Sequence, residues 1–421
     1  MKIVQINTGI GFGSIGRIAD QIGSIVDKEG GMCYYAHGSR YIVHSSPYAI
    51  KVGCKFEDYI HYGISLITGR DGIGSICSTK RLVRKLIEIN PDIVHLHNIH
   101  GYYINYKILF NYLSKNNIHV VWTFHDCWPI TGHCPYFDKV NCIKWKTECY
   151  DCPLYHEFPK SLFFDQSSYN YNTKKTAFTS VKNLNIVPVS SWLGDIVKES
   201  FLKDANIRVI HNGVDIDVFK PTSSDLSERL GINPQKKIVL GVASGWDERK
   251  GFSDFIKLAG EDEWQIIMVG DIEVDASRFP SSIIHIKNTN SQKELAELYS
   301  IADVFINPTY SDNFPTTNIE ALACGTPVIT YKTGGSPEAL DEQTGIVVPQ
   351  GNLIELIDAI KKITSVAKSV YSNKCRERAV KFFNKDSCFK EYINLYKEIL
   401  NNGIKEKNQC QRIETNSIEY T

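Results

Sequence analysis

The sequence predicts an α/β protein made of two doubly wound domains in tandem. Three observations carry that prediction. Short apolar runs of strand type alternate with segments of helical periodicity, first from Lys2 to about Asp215 and again from Lys237 to Phe383. The polar residues with chemistry in them fall just after the strand runs, where open α/β sheets bind ligands. And 421 residues give room for two cores.

Composition narrows the function. Hydrophobic residues make up 43% and charged residues 22%, which is the balance of a folded globular chain. Lys+Arg and Asp+Glu are both 47, so nothing favours nucleic acid as a partner. No run reaches the length of a membrane-spanning helix. The opening MKIVQINTGIGFGSIG reads directly as a strand and glycine loop, not as a signal peptide. The expectation is a cytoplasmic protein whose 12 cysteines are mostly reduced.

Along the first series, Lys2 to Asn7 is a strand and Arg17 to Lys28 a helix. Between them Gly11-Phe12-Gly13-Ser14-Ile15-Gly16 matches G-x-G-x-x-G. The next strand, Met32 to Ala36, ends in His37-Gly38-Ser39-Arg40 with no acidic residue for a ribose. That argues against NAD and leaves NADP only through Arg40; a plain tight turn stays open. Asp58 to Arg70 is aromatic-rich and shows no clear period. Thr79 to Asn90 is an amphipathic helix whose polar face carries Lys80, Arg81, Arg84 and Lys85. Such a face is either solvated or a dock for anionic lipid headgroups.

Pro91 to His97 is a strand of buried type, Asn105 to Asn116 a helix, and His119 to Phe124 a further strand running into His125-Asp126. Two strand ends thus deliver His97, His100 and His125. Asp126 is a candidate to orient His125 or an acceptor hydroxyl. The segment after it holds Cys127, Cys134, Cys142, Cys149 and Cys152, with Cys149 and Cys152 in a C-x-x-C knuckle. Cys134, Cys142, Cys149 and Cys152 could close a structural zinc site that staples an aperiodic loop, with His133 as a substitute ligand. Two disulfides or unliganded thiols are the alternatives. Tyr169 to Val181 is a helix, Asn185 to Val189 a strand, and Ser190-Ser191 caps a helix from Trp192 to Leu202.

The second series opens with the strand Lys237 to Ala243. Ser244 to Gly251 follows, where Arg249 and Lys250 form a phosphate clamp at a strand end. Gln265 to Val269 and Ile283 to Lys287 are strands, Gln292 to Ile301 is a helix capped by Ser291, and Asp303 to Asn307 is the strand that leads into Ser311 to Glu338. In that stretch the helix Asn318 to Ala323 should offer the N–H groups of Thr316, Thr317 and Asn318 to a phosphate. Glu320 lies in its first turn, within reach of a hydroxyl beside that phosphate, and Asp312 comes from the preceding loop. A diphosphate, a ribose and a sugar would suit this set; an ordinary capped loop-helix-strand unit is the plain alternative. Val328 to Tyr331 is a strand, and Leu353 to Ser365, Asn373 to Phe383 and Ser387 to Asn401 are helices. Residues 403–421 are polar and expected to be disordered.

These residues also resemble a family. The spacing of Asp312 and Glu320, the run Gly325-Thr326-Pro327-Val328 and the turn Gly334-Gly335-Ser336-Pro337-Glu338 are similar to the donor-site signature of family 4 retaining glycosyltransferases of GT-B fold, with Asp312 standing where the family has Glu. Val209-Ile210-His211-Asn212-Gly213-Val214-Asp215 resembles the segment that ends their first domain. HDCWPITGHCPYFD, the following C-x-x-C-P and PKSLFFD resemble a subgroup of bacterial surface-polysaccharide enzymes.

The resemblance implies two Rossmann-like domains facing across a cleft. Residues 1–215 would bind acceptor, with a Cys-rich insertion at 127–165. Residues 216–385 would bind donor, and 386–402 would cross back. It implies a nucleotide-sugar donor, a glycan or undecaprenyl-diphosphate-linked acceptor, peripheral contact with the inner membrane face and no catalytic metal. Glu320 would hold the ribose, and Asp312 with the backbone of Phe314, Pro315, Thr316, Thr317 and Asn318 the sugar and phosphates. Gly13, Ser14 and Gly16 would approach the diphosphate from the opposite domain. His125 would lie beside the transferred sugar, with His97, His100 and Asp126 toward the acceptor. Lys250 matches the family's phosphate lysine. The family's arginine lies five or six residues before it, where this chain has Ser244 and Gly245, so Arg249 is the proposed substitute. A sugar-nucleotide epimerase of GT-B fold and a non-catalytic sugar-nucleotide binder are the alternative readings.

Overall fold

The computed structural model describes residues 1–38, 48–272 and 279–418. The first sheet comprises β1 (Lys2–Asn7), β2 (Met32–His37), β3 (Ala49–Lys51), β4 (Ile93–Leu96), β5 (His119–Phe124), β6 (Leu184–Pro188) and β7 (Asn206–Ile207), in the order β3-β2-β1-β4-β5-β6-β7. The second comprises β8 (Lys237–Trp246), β9 (Trp264–Ile272), β10 (Ile284–Ile286), β11 (Val304–Asn307), β12 (Val328–Tyr331) and β13 (Gly345–Val348), in the order β10-β9-β8-β11-β12-β13. Neighbouring strands run parallel in both. Every residue of β4, β6, β11 and β12 is buried, as expected of parallel strands covered on both faces.

This topology decides where ligands can sit. Strand order reverses between β1 and β4 in the first sheet and between β8 and β11 in the second. Each reversal opens a crevice at the carboxyl ends, because successive crossovers leave on opposite faces. The glycine loop after β1 and His97 after β4 flank the first crevice. Arg249 and Lys250 after β8 and Asp312 after β11 flank the second.

The final helix, Lys385–Ile418, returns to the first domain. Its Phe389, Tyr392, Ile393 and Tyr396 share a buried cluster with Ile18, Ile22 and Val26 of the helix Gly13–Lys28. The stretch from residue 403, expected to be disordered, is traced as a continuation of this helix to Ile418. Residues 419–421 and Arg40 lie outside the described residues. The aperiodic stretch near Asp58 is a helix, Lys55–Thr68, whose pattern fails because it leaves Phe56, Tyr59, Ile60 and Ile67 exposed. Among the described residues no helix is long and apolar enough to cross a membrane.

Candidate functional site

The second crevice is built from short-range rules. After β8, the Asp247 side chain accepts from the Lys250 backbone N–H at 2.9 Å and holds a tight turn. Gly251 follows at φ +78°, and a Cβ there would strike the Pro308 carbonyl at 2.3 Å. The turn therefore lies flat against the exit of β11. That contact sets Lys250 Nζ 2.6 Å from Asp312 Oδ2, each side chain 18% exposed. Arg249 donates to the Ser311 carbonyl at 3.1 Å and lies 4.9 Å over the Tyr136 ring.

The helix after the Asp312 loop is Thr316–Ala323, two residues longer at its start than expected. Its open end is narrower than predicted, since the Asn318 N–H donates to the Pro315 carbonyl. The Asn318 side chain is buried, bonded to Asn307 and to the Ser336 carbonyl. Thr316 and Thr317 are left to present the helix dipole. The Phe314 ring is core, packed on His211 and Phe383, so only its backbone lines the loop. Glu320 is buried and accepts from Tyr299 OH at 3.1 Å. Burial pushes its carboxyl up, against hydrogen bonds from Tyr299 and Thr316 and the charge of Arg17. The Gly334-Gly335 turn backs this loop closely: Cβ atoms there would meet the Asp312 and Asn313 carbonyls at 1.8 and 2.1 Å.

Arg17 belongs to the first domain, one turn into the helix that Gly13 begins. Gly11 N–H donates to the Gly16 carbonyl at 2.9 Å, and Gly16 abuts the Gly9 carbonyl. With Asn7, Thr8 and Phe12, the residues Gly13, Ser14 and Gly16 line a hollow of about 190 Å³.

The histidines are divided by the structure. His125 keeps partial exposure at the end of β5. Its carbonyl accepts from Asn313 Nδ2 at 2.8 Å, which joins the two domains next to Asp312. His97 is buried, and both its ring nitrogens are engaged, with His125 at 3.1 Å and Gln5 at 2.9 Å. The acceptor role expected of His97 is therefore replaced by an internal one. Asp126 also differs from expectation: its two oxygens accept from His100 at 2.8 Å and the Trp128 N–H at 2.9 Å. Burial raises its carboxyl, but these partners outweigh it and the net shift is downward. Asp126 orients His100, whose ring packs on Trp128 and Phe158.

Several site residues were invisible in the sequence. Tyr136 and Asp138 come from the Cys-rich segment and touch Arg249 and Ser311. Asn313 reads as ordinary loop until it bridges to His125. Glu338, which the sequence does mark as the end of the Gly334-Gly335 turn, accepts from the Ser191 and Trp192 N–H groups, both at 2.8 Å, and from His211 at 2.9 Å. It thereby caps the helix Ser191–Glu199 across the domain boundary.

Cys134, Cys142, Cys149 and Cys152, with His133, line one cavity of about 20 Å³. All four are free thiols. The Gly132 N–H donates to Cys149 Sγ at 3.1 Å. Among the described residues, however, no three His, Cys, Asp or Glu side chains are arranged to hold a metal ion.

Known proteins share this architecture. Residues 55–218 match the model of "Glycosyltransferase Family 4", and residues 223–382 that of "Glycosyl transferases group 1". A colanic acid biosynthesis glycosyl transferase, WcaC of Escherichia coli K12, is 24% identical over 78% of this chain and 82% of its own length. Sucrose-phosphate synthase from Thermosynechococcus elongatus superposes with a TM-score of 0.70 at 18% identity, covering 95% of this chain and 99% of that one. Anabaena HepE, solved in complex with UDP-glucose, gives 0.63 at 16% identity, covering 94% and 100%. Two parallel sheets with facing switch points, and matched models on both sides of the boundary, place the chain in glycosyltransferase family 4, with the GT-B fold.

Proposed function

We propose that the enzyme is a retaining glycosyltransferase that moves a sugar from a nucleotide-sugar donor to a glycan or lipid-linked acceptor in surface-polysaccharide synthesis. The observation that carries this reading is the Lys250–Asp312 pair, held at one switch point beside Glu320 and the open end of Thr316–Ala323, with His125 facing from the other domain. Glu320 holds the ribose, the Thr316 and Thr317 N–H groups receive phosphate, and Lys250 with Arg249 balances charge on the departing diphosphate. The acceptor hydroxyl enters on the leaving-group face, and the diphosphate takes its proton. No catalytic metal has a place in this scheme. The WcaC relative supports the polysaccharide setting, and the HepE complex supports UDP as the nucleotide to try first. A thermal-shift series of UDP-, GDP-, ADP- and dTDP-sugars is expected to raise Tm by several degrees with the UDP series. Donor consumption without any acceptor would instead favour an epimerase.

A lipid-borne acceptor gains support from the first domain's surface. The helix Lys55–Thr68 exposes Phe56, Tyr59, Ile60 and Ile67, and nearby Phe163 and Phe164 are exposed too. The Leu162 N–H donates to the Leu66 carbonyl at 2.8 Å, so these apolar groups adjoin. Of the basic face proposed for the helix Ile76–Ile89, Arg81 is paired with Glu57 and Lys85 with Glu88, both at 2.6 Å. Lys80 and Arg84 supply the remaining positive charge. Phe56→Asp with Tyr59→Asp is expected to lower binding to anionic vesicles by about tenfold per side chain. Turnover on a soluble acceptor should hold steady; equal vesicle binding would remove the membrane contact.

The cysteine cavity is proposed as a structural zinc site, supported by the convergence of four thiols on one small space; ligation would draw them closer than they stand. Protein purified without chelator is expected to carry about one zinc per chain, lost on Cys149→Ser. Absence of metal together with four titratable thiols would end this proposal.

A further inference from the structure

Beneath His125 lies a buried polar chain whose hydrogen-bond directions can be worked out. Gln5, in the centre of the first sheet and wholly buried, places Nε2 at 2.7 Å from the Ala19 carbonyl. A carbonyl only accepts, so the amide nitrogen must face it. Gln5 Oε1 is thereby turned to His97 Nε2, at 2.9 Å. An amide oxygen also only accepts, so His97 carries its proton on Nε2. The other His97 nitrogen, Nδ1, lies 3.1 Å from His125 Nε2. In a neutral His97 that Nδ1 is a lone pair, and His125 must donate to it.

Neutrality follows from the surroundings. His97 is 2% exposed, has no carboxylate partner among the described residues, and its ring lies tilted against that of His95, centroids 4.2 Å apart. His95 is itself fully committed. Thr123 spends its proton on Tyr392 OH, so it accepts from His95 Nε2, and Tyr396 OH then donates to His95 Nδ1 at 2.6 Å. Burial depresses all three rings, His95 to about 3 and His125 to about 4. Burial and these hydrogen bonds favour the neutral form of all three rings.

We propose that Gln5 is a positioning residue: acting through His97, it fixes the His125 imidazole with its proton on Nε2, so that Nδ1 is a hydrogen-bond acceptor for a substrate hydroxyl. His125 is the one ring of the three that keeps exposure, and its Nδ1 has no partner among the described residues. A neutral ring locked this way cannot donate at that nitrogen. It selects a hydroxyl that can give its proton, and it discriminates against a donor lacking that group. The assignment of a substrate hydroxyl rests on the glycosyl-transfer reading above; the tautomer itself does not.

The test is long-range ¹H–¹⁵N NMR of the full-length protein labelled at histidine, without substrate, at neutral pH. The His125 signals are identified by their loss in His125→Gln. The expected spectrum has Nε2 protonated and Nδ1 bare. Gln5→Met keeps the length but removes the acceptor, and is expected to move His125 toward a mixture of tautomers. Its kcat/KM should fall about three- to tenfold, with little further loss on the one deoxy-donor that the parent enzyme penalises. A His125 protonated on Nδ1 in the parent protein, or an unchanged spectrum in Gln5→Met, overturns the proposal. If Gln5→Met does not fold, the parent spectrum alone decides. Because the spectrum needs no donor, a failed tautomer assignment and a failed glycosyl-transfer reading cannot be confused.

Discussion

Lys250→Met is expected to lower kcat by roughly 10²–10³-fold, the scale seen when one preorganised charge donor is removed from a transition state. In the structure Lys250 Nζ sits on Asp312 Oδ2 at 2.6 Å, and each side chain is 18% exposed. The ammonium is thus parked on a carboxylate that a neighbouring diphosphate would displace electrostatically. As the glycosidic bond breaks, negative charge grows on the leaving phosphate, and a cation already in place stabilises it without reorganisation. Methionine keeps the stem and its packing but supplies no charge. The check is steady-state kinetics with the nucleotide sugar that stabilises the protein. Donor KM should change less than kcat, because the charge develops mainly in the transition state. Asp312→Asn, which frees Lys250 without removing it, should lose less. A larger loss in Asp312→Asn would move the decisive charge to the carboxylate.

Glu320→Gln is expected to separate binding from stability. A carboxylate that accepts from a ribose hydroxyl contributes about 1.5–3 kcal/mol, so donor KM should rise about ten- to hundredfold. Stability should move the other way. Burial raises the Glu320 carboxyl above its ordinary value. A raised folded-state pKa means that the native state binds the proton more tightly than the unfolded chain does. Its contribution to stability is complete below the unfolded pKa and is lost as pH climbs through the folded one. At neutral pH the parent protein therefore bears a charge-burial cost that glutamine lacks. The Tm of Glu320→Gln should exceed the parent's at pH near neutrality, and the gap should shrink on acidification. A variant that is destabilised at neutral pH would show that the Arg17 charge and the Tyr299 and Thr316 hydrogen bonds outweigh desolvation.

Much of both domains is legible in the sequence. β5, β12 and the helix Gln292–Ile301 have the bounds the sequence predicts, since each is a strongly patterned apolar segment with a capping or turn residue at its edge. Ser190, Ser291 and Asn105 cap their helices with the side-chain bonds that such residues favour. The short edge strands β3, β7 and β13 escape, because two to four residues hold too little pattern to outweigh their loops. The Lys55–Thr68 helix escapes for another reason: its apolar residues face outward, so the usual rule that a helix hides its apolar stripe does not apply.

The sequence alone determined the alternation of strands and helices, and with it the two parallel sheets. It also determined that Arg249, Lys250, Asp312 and His125 stand at strand ends, since local periodicity and caps depend on neighbours along the chain. Only the tertiary structure decided which polar groups are already spent. His97, Asp126 and Asn318 look like free ligands in the sequence, yet their hydrogen bonds are satisfied within the fold. Tyr136, Asp138 and Asn313 look like loop surface, yet each meets a residue of the other domain, and Arg17 acts on Glu320 through its charge. The physical reason is that hydrogen bonds and burial are set by partners on other elements of the fold, and no local pattern encodes which buried donor will face which acceptor.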